Sequence, residues 1–123
     1  MKQHAHGFLT LVAESKKRIK EITPKALKEK IDRHEPMHLI DVRELNEWDT
    51  GYIPTAIHLS KGVIERDIEK KIPDLNSQVI VYCSGGFRCA LVAENLQKMG
   101  YSNVLSLETG LQGWLDEGYS LQK

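Results

Sequence analysis

The chain has 123 residues, of which 41% are hydrophobic and 28% charged, with 17 Lys plus Arg balanced by 17 Asp plus Glu. That length suits one domain, and that composition excludes general disorder. With no basic excess to hold a phosphate backbone, nucleic acid is not expected as the main partner. No apolar run approaches the ~20 residues of a membrane span, and the short patch from Phe8 to Ala13 lacks the form of an export signal, so a cytoplasmic protein off the membrane is expected.

In chain order, Phe8, Leu11, Val12 and Ile19 recur at roughly helical spacing between lysines, predicting an amphipathic helix over Gly7 to Lys20. Residues 1–20 are thus read as a helical extension and 21–123 as the domain proper. Lys20 to Ile22 is a candidate edge strand. Thr23-Pro24 has the form of an N-cap followed by proline in the first helical turn, with Leu27 and Ile31 on one face of the helix behind it. Leu39, Ile40 and Val42 form an apolar run that ends in a polar turn, as in a buried parallel strand. A short helix is predicted over Glu44 to Asp49 and a strand over Ala56 to Ser60. Ile64, Ile68 and Ile72 stand four apart in a helix stopped by Pro73. Gln78 to Cys83, "QVIVYC", is the strongest strand signal. A helix from Arg88 to Met99 closed by Gly100, a strand over Asn103 to Glu108 and a helix over Leu111 to Asp116 complete the pattern. Alternating short strands and helices predict an α/β domain with a mostly parallel sheet and helices on both faces.

Both cysteines lie in "YCSGGFRC", Tyr82 to Cys89. The strand delivers Cys83 to a carboxyl end of the sheet, where ligands bind in such folds. Gly85 and Gly86 let the backbone curl, and the following helix aims unpaired amides at the loop. Amides converging there, with the fixed charge of Arg88, favour a thiolate at Cys83 and a bound anion. A metal site would need three or four ligands, more than the stretch offers, so no metal and no cofactor are expected. An inert buried cysteine in a plain Gly-Gly turn remains the competing reading.

Cys83, two residues, Gly86, one residue, Arg88 resembles the active loop of the rhodanese homology domain, of the single-domain thiosulfate sulfurtransferase type. "LIDVRELNEW", Leu39 to Trp48, is similar to the family's strand ending in Asp-Val-Arg. "GYIPTAIHLS", Gly51 to Ser60, resembles its Gly-His-Ile-Pro-Gly-Ala segment, and "TGLQGW", Thr109 to Trp114, its closing Gly-Gly-x-x-x-Trp. Tyr52 and Thr55 stand where histidine and glycine are usual, Thr109 replaces the first of the paired glycines, and Cys89 stands where serine is common. The resemblance implies a rhodanese-like three-layer domain with about five strands, plus the N-terminal helix.

For activity, the resemblance implies Cys83 as nucleophile and persulfide carrier. It takes sulfane sulfur from a donor such as thiosulfate and passes it to a thiol or cyanide acceptor; a sulfur-accepting protein is a further candidate partner. Ser84, Gly85, Gly86, Phe87 and Arg88 would line the pocket, mostly through backbone amides. Arg88 would either contact the donor anion or pair with a nearby carboxylate. Asp41 and Arg43 are read as braces of a neighbouring loop before substrate contacts, and Phe87 as a face for a partner or a lid. Cys89 is either a packed small residue or a resolving thiol. A persulfide relay, a regulatory partner-binding domain and a cysteine phosphatase are the alternatives. The last is disfavoured because four residues, not five, separate Cys83 from Arg88.

Overall fold

The computed structural model describes residues 4–123. The elements run α1 (His6–Lys16), β1 (Lys20–Ile22), α2 (Pro24–Asp32), β2 (His38–Asp41), α3 (Leu45–Trp48), β3 (Ile57–His58), α4 (Ile64–Lys71), β4 (Gln78–Tyr82), α5 (Arg88–Lys98), β5 (Asn103–Leu107) and α6 (Gly110–Asp116). The five strands form one sheet in the order β1-β5-β4-β2-β3, parallel at every pairing. The expected mostly parallel sheet is thus wholly parallel.

Alternation along β4 sorts the core into two layers. Val79 and Val81 face Ile64, Ile68 and Ile72, and the α5 residues Val92, Ala93 and Leu96. Ile80 and Tyr82 face Leu27 of α2 and Leu111 and Trp114 of α6. Because β4 is buried on both faces, it reads as a continuous apolar run rather than an alternating one.

Local signals work as expected in α2, where the Thr23 hydroxyl accepts the Ala26 amide at 3.2 Å. Two elements are markedly shorter than expected. The first helix ends at Lys16, and Ile19, beyond it, packs on the α4/α5 core instead of extending it. The predicted strand over Ala56 to Ser60 shrinks to Ile57–His58. Thr55 just before it takes φ 78°, a left-handed conformation that a β-branched residue adopts only under strain. Helix α1 lies on α5. Val12 is buried, Ser15 Oγ donates to Glu94 at 2.7 Å, Arg18 pairs with the same carboxylate, and Gln97 Nε2 donates to the Arg18 carbonyl at 2.9 Å.

No helix among the described residues is long and apolar enough to cross a membrane.

Candidate active site

Strand β4 ends at Tyr82, so Cys83 is the first residue past the carboxyl edge of the sheet. Between it and α5 the chain makes a tight loop, 84–87, held from two sides. The first amides of α6 reach across to it: Leu111 N–H donates to the Cys83 carbonyl at 2.8 Å and Gln112 N–H to the Ser84 carbonyl at 2.9 Å. This contact requires glycine at 110, because a Cβ there would come within 2.6 Å of both carbonyl oxygens. Gly86 is equally constrained. It has φ 92°, and a Cβ would overlap the Glu108 carbonyl.

The loop folds around one sulfur. Cys83 is 1% exposed, and its Sγ accepts the Gly86 amide at 3.2 Å and the Cys89 amide at 3.4 Å. Cys89, wholly buried in the first turn of α5, places its own sulfur 3.5 Å from that of Cys83 and 3.8 Å from the Leu107 carbonyl oxygen. Behind Cys89, the buried Ser106 hydroxyl of β5 donates to its sulfur at 3.1 Å.

These contacts divide the two thiols. The Cys89 S–H hydrogen bond leads in lowering the Cys83 pKa from 9.0 to about 6, aided by the two amides and the Arg88 charge, against the cost of burial. Burial, and then the neighbouring Cys83, hold Cys89 well above the ordinary thiol range. Cys83 is therefore the thiolate of the pair and Cys89 the neutral donor, and neither is in a disulfide.

Amides of residues 84 to 88 are the expected lining of the pocket. The amides that reach the sulfur are those of Gly86 and Cys89. Ser84 and Arg88 use their side chains elsewhere. Arg88 grips Glu47 of α3 with Nη1–Oε1 at 2.8 Å and Nη2–Oε2 at 3.0 Å, and the Ser84 hydroxyl donates to Glu47 Oε2 at 3.0 Å. The guanidinium thus leads in holding the Glu47 carboxyl at about 2, well below its usual 4.5. Of the two readings of Arg88, the structure displays the carboxylate pair. Gly85 is exposed at the lip of the loop.

Glu47 was not singled out from the sequence. Its local signal is a capping box: Glu47 Oε1 accepts the Glu44 amide at 3.0 Å, at the spacing that marks a helix start. That signal points to the helix end and says nothing of the arginine 41 positions further on. Ser106 carries no sequence signal at all, since one serine in an apolar strand reads as packing.

Phe87 turns toward α1. Its ring lies 4.7 Å from that of His4, edge-on, and 6.2 Å from that of Phe8, with Lys16 Nζ 5.7 Å above it. Asp41 and Arg43 form a buried ion pair with Nη2–Oδ2 at 2.7 Å; Arg43 also donates to the Gly51 carbonyl at 2.7 Å. They brace the segment after β2 and sit apart from the Cys83 sulfur contacts. Trp48 stacks on Tyr52 at 3.8 Å, His58 bonds the Arg43 carbonyl at 2.7 Å, and Trp114 is core. Among the described residues no group of three or more His, Cys, Asp or Glu could hold a metal ion.

The arrangement can do nucleophilic chemistry at one buried thiolate with an amide cradle for an anion. Comparison with known proteins finds sulfurtransferase and sulfur-carrier relatives. A Bacillus subtilis putative sulfurtransferase, YtwF, is 38% identical over 99 residues, covering 80% of this chain and 93% of its own. The putative sulfur carrier protein YrkF of the same organism is 30% identical over 104 residues, 83% of this chain, and this chain spans about half of it, 54%. A Rhodopseudomonas palustris protein of unknown function, RPA3614, described as a possible tyrosine phosphatase, shares the fold with TM-score 0.88 at 24% identity, over 99% of both chains. The Rhodanese-like domain profile matches residues 23–117. The loop, the parallel sheet and these matches agree, and the chain belongs to the rhodanese-like domain family.

Proposed function

We propose that the protein is a sulfurtransferase that carries sulfane sulfur as a persulfide on Cys83. The observation that carries this reading is the Cys83 sulfur held by the Gly86 and Cys89 amides with the Cys89 sulfur 3.5 Å away, an environment that favours a thiolate at neutral pH without a general base. The thiolate attacks the outer sulfur of thiosulfate. The S–S bond of the donor breaks, sulfite leaves with the bond's electron pair, and Cys83 becomes an anionic persulfide. An acceptor thiolate or cyanide then attacks the outer sulfur and Cys83 leaves as thiolate, ready for another cycle.

In this reading residues 84 to 88 have divided work. Gly85 and Gly86 allow the curl, and the Gly86 amide supplies charge stabilisation. Ser84 and Arg88 tie the loop to α3 through Glu47, while Arg88 also contributes a positive field. Phe87 anchors the loop on α1. Asp41 and Arg43 act as positioning residues for the strand ends. The four-residue spacing between Cys83 and Arg88 gives a small ring of amides, suited to a single sulfur more than to a tetrahedral phosphate.

The test is an intact mass after incubation with thiosulfate. The expected result is a gain of one sulfur atom that cyanide removes as thiocyanate and that Cys83→Ser does not acquire. A protein that gains no sulfur from thiosulfate or from a polysulfide would overturn the proposal.

A further inference from the structure

Cys89 lies beyond the loop that holds the sulfur, yet its side chain reaches that sulfur. Its sulfur is 3.5 Å from that of Cys83, and the Ser106 hydroxyl holds it in place from β5. A disulfide bond is ~2.05 Å long, so closure needs about 1.5 Å of further approach. Between the two cysteines, Gly85 is exposed, and only the Phe87 ring would meet a Cβ there.

We propose that Cys89 is a resolving thiol, closing an internal disulfide with Cys83 after peroxide oxidises the Cys83 sulfur. In the first step the Cys83 thiolate attacks hydrogen peroxide. The O–O bond breaks, hydroxide leaves, and Cys83 becomes a sulfenic acid, oxidised as the peroxide is reduced. In the second step the Cys89 sulfur attacks the Cys83 sulfur. The new S–S bond forms as the S–O bond breaks, and the Cys89 proton leaves with the oxygen as water. An external dithiol reduces the disulfide and restores both thiols.

The geometry orders these steps. The Cys89 sulfur occupies one side of the Cys83 sulfur at contact distance. Its displacement of the oxygen requires the S–O bond to lie on the opposite side. Peroxide oxidises Cys83, the thiolate of the pair, ahead of Cys89, which is held neutral. Its proximity makes ring closure a unimolecular competitor of the second peroxide molecule that would form an irreversible sulfinic acid. The proposal does not depend on sulfur transfer, because it uses only the two thiols and an oxidant.

The test is titration of the reduced protein with hydrogen peroxide, followed by intact mass and non-reducing peptide mapping. Wild type is expected to lose two hydrogen atoms, to give a peptide cross-linked between Cys83 and Cys89, and to regain both free thiols with dithiothreitol. Cys89→Ser is expected to gain two or three oxygen atoms on Cys83, and its share of thiol recovered by dithiothreitol to fall several-fold. Wild type that acquires sulfinic acid at Cys83 with no internal cross-link, or that cross-links only between chains, would overturn the proposal. The mapping of wild type decides the matter even if the variant does not fold. No sulfur donor is present, so the outcome is separable from that of the thiosulfate experiment.

Discussion

Replacing Cys89 with alanine should raise the pH at which Cys83 ionises. The variant removes the S–H donor and leaves the Cys89 and Gly86 amides, and the Arg88 charge, in place. A hydrogen bond to a charged group is worth roughly 1.5–3 kcal/mol, and a thiol is a weak donor, so the lower end applies. At 1.36 kcal/mol per pKa unit, about one unit of upward shift follows from the ~6 of wild type. At pH 6 the thiolate share would then fall from about one half to about one tenth, roughly fivefold. The alkylation rate would change less, since a thiolate of higher pKa is the better nucleophile, with a Brønsted slope of about 0.4–0.5. The direct assay is therefore the far-ultraviolet absorbance of the thiolate against pH, with Cys83→Ser as the blank. Cys89 does not confuse it, because its own ionisation lies well above the ordinary range. Cys89→Ser retains a donor and should titrate near wild type. If Cys89→Ala titrates where wild type does, the Cys89 thiol is not a donor to Cys83 and the assigned polarity of the pair is wrong.

Other outcomes follow from the same contacts. Because folding lowers the Cys83 pKa from 9.0 to about 6, the thiolate's contribution to stability is complete above 9 and lost as pH falls through 6; Cys83→Ser should flatten that part of the urea-stability profile. Glu47, lowered to about 2 from 4.5, contributes fully above 4.5 and loses its contribution as pH falls toward 2. The urea midpoints of wild type and Glu47→Gln should therefore converge over that interval. Asp41→Ala leaves Arg43 buried without its carboxylate and should cost about 3–5 kcal/mol in urea unfolding. Thr55→Gly relieves the left-handed strain, ~1–2 kcal/mol, less the added chain entropy of glycine. It should raise the thermal midpoint, and a lower midpoint would show that φ 78° carries no strain.

How far the site can be read from residues varies within a few positions. The thiol proposed as nucleophile, the Gly-Gly curl and the strand end that presents them are local features. A continuous apolar run followed by small residues and a helix start places Cys83 at a sheet edge before any fold is known. The partner of Arg88 is not local. Its carboxylate comes from α3, and the two meet because β2 and β4 are paired in parallel and end at the same edge. The amides that hold the loop's carbonyls come from α6, by way of β5 on the other side of β4. The motif "TGLQGW" marks that segment without saying that its first amides bond the Cys83 and Ser84 carbonyls.

Sequence by itself determined the class of the domain, the order of its elements and the sulfur at its centre, because burial periodicity and turn chemistry act over a few residues. It left Cys89 undecided between packing and reactivity, since both readings share the same small apolar side chain at the start of a helix. Only the tertiary structure brought its thiol to 3.5 Å from Cys83, with Ser106 behind it. That approach is set by how α5 lies on β4 and β5. Depth in the core and distance between sulfurs are properties of packing, which no spacing along the chain encodes.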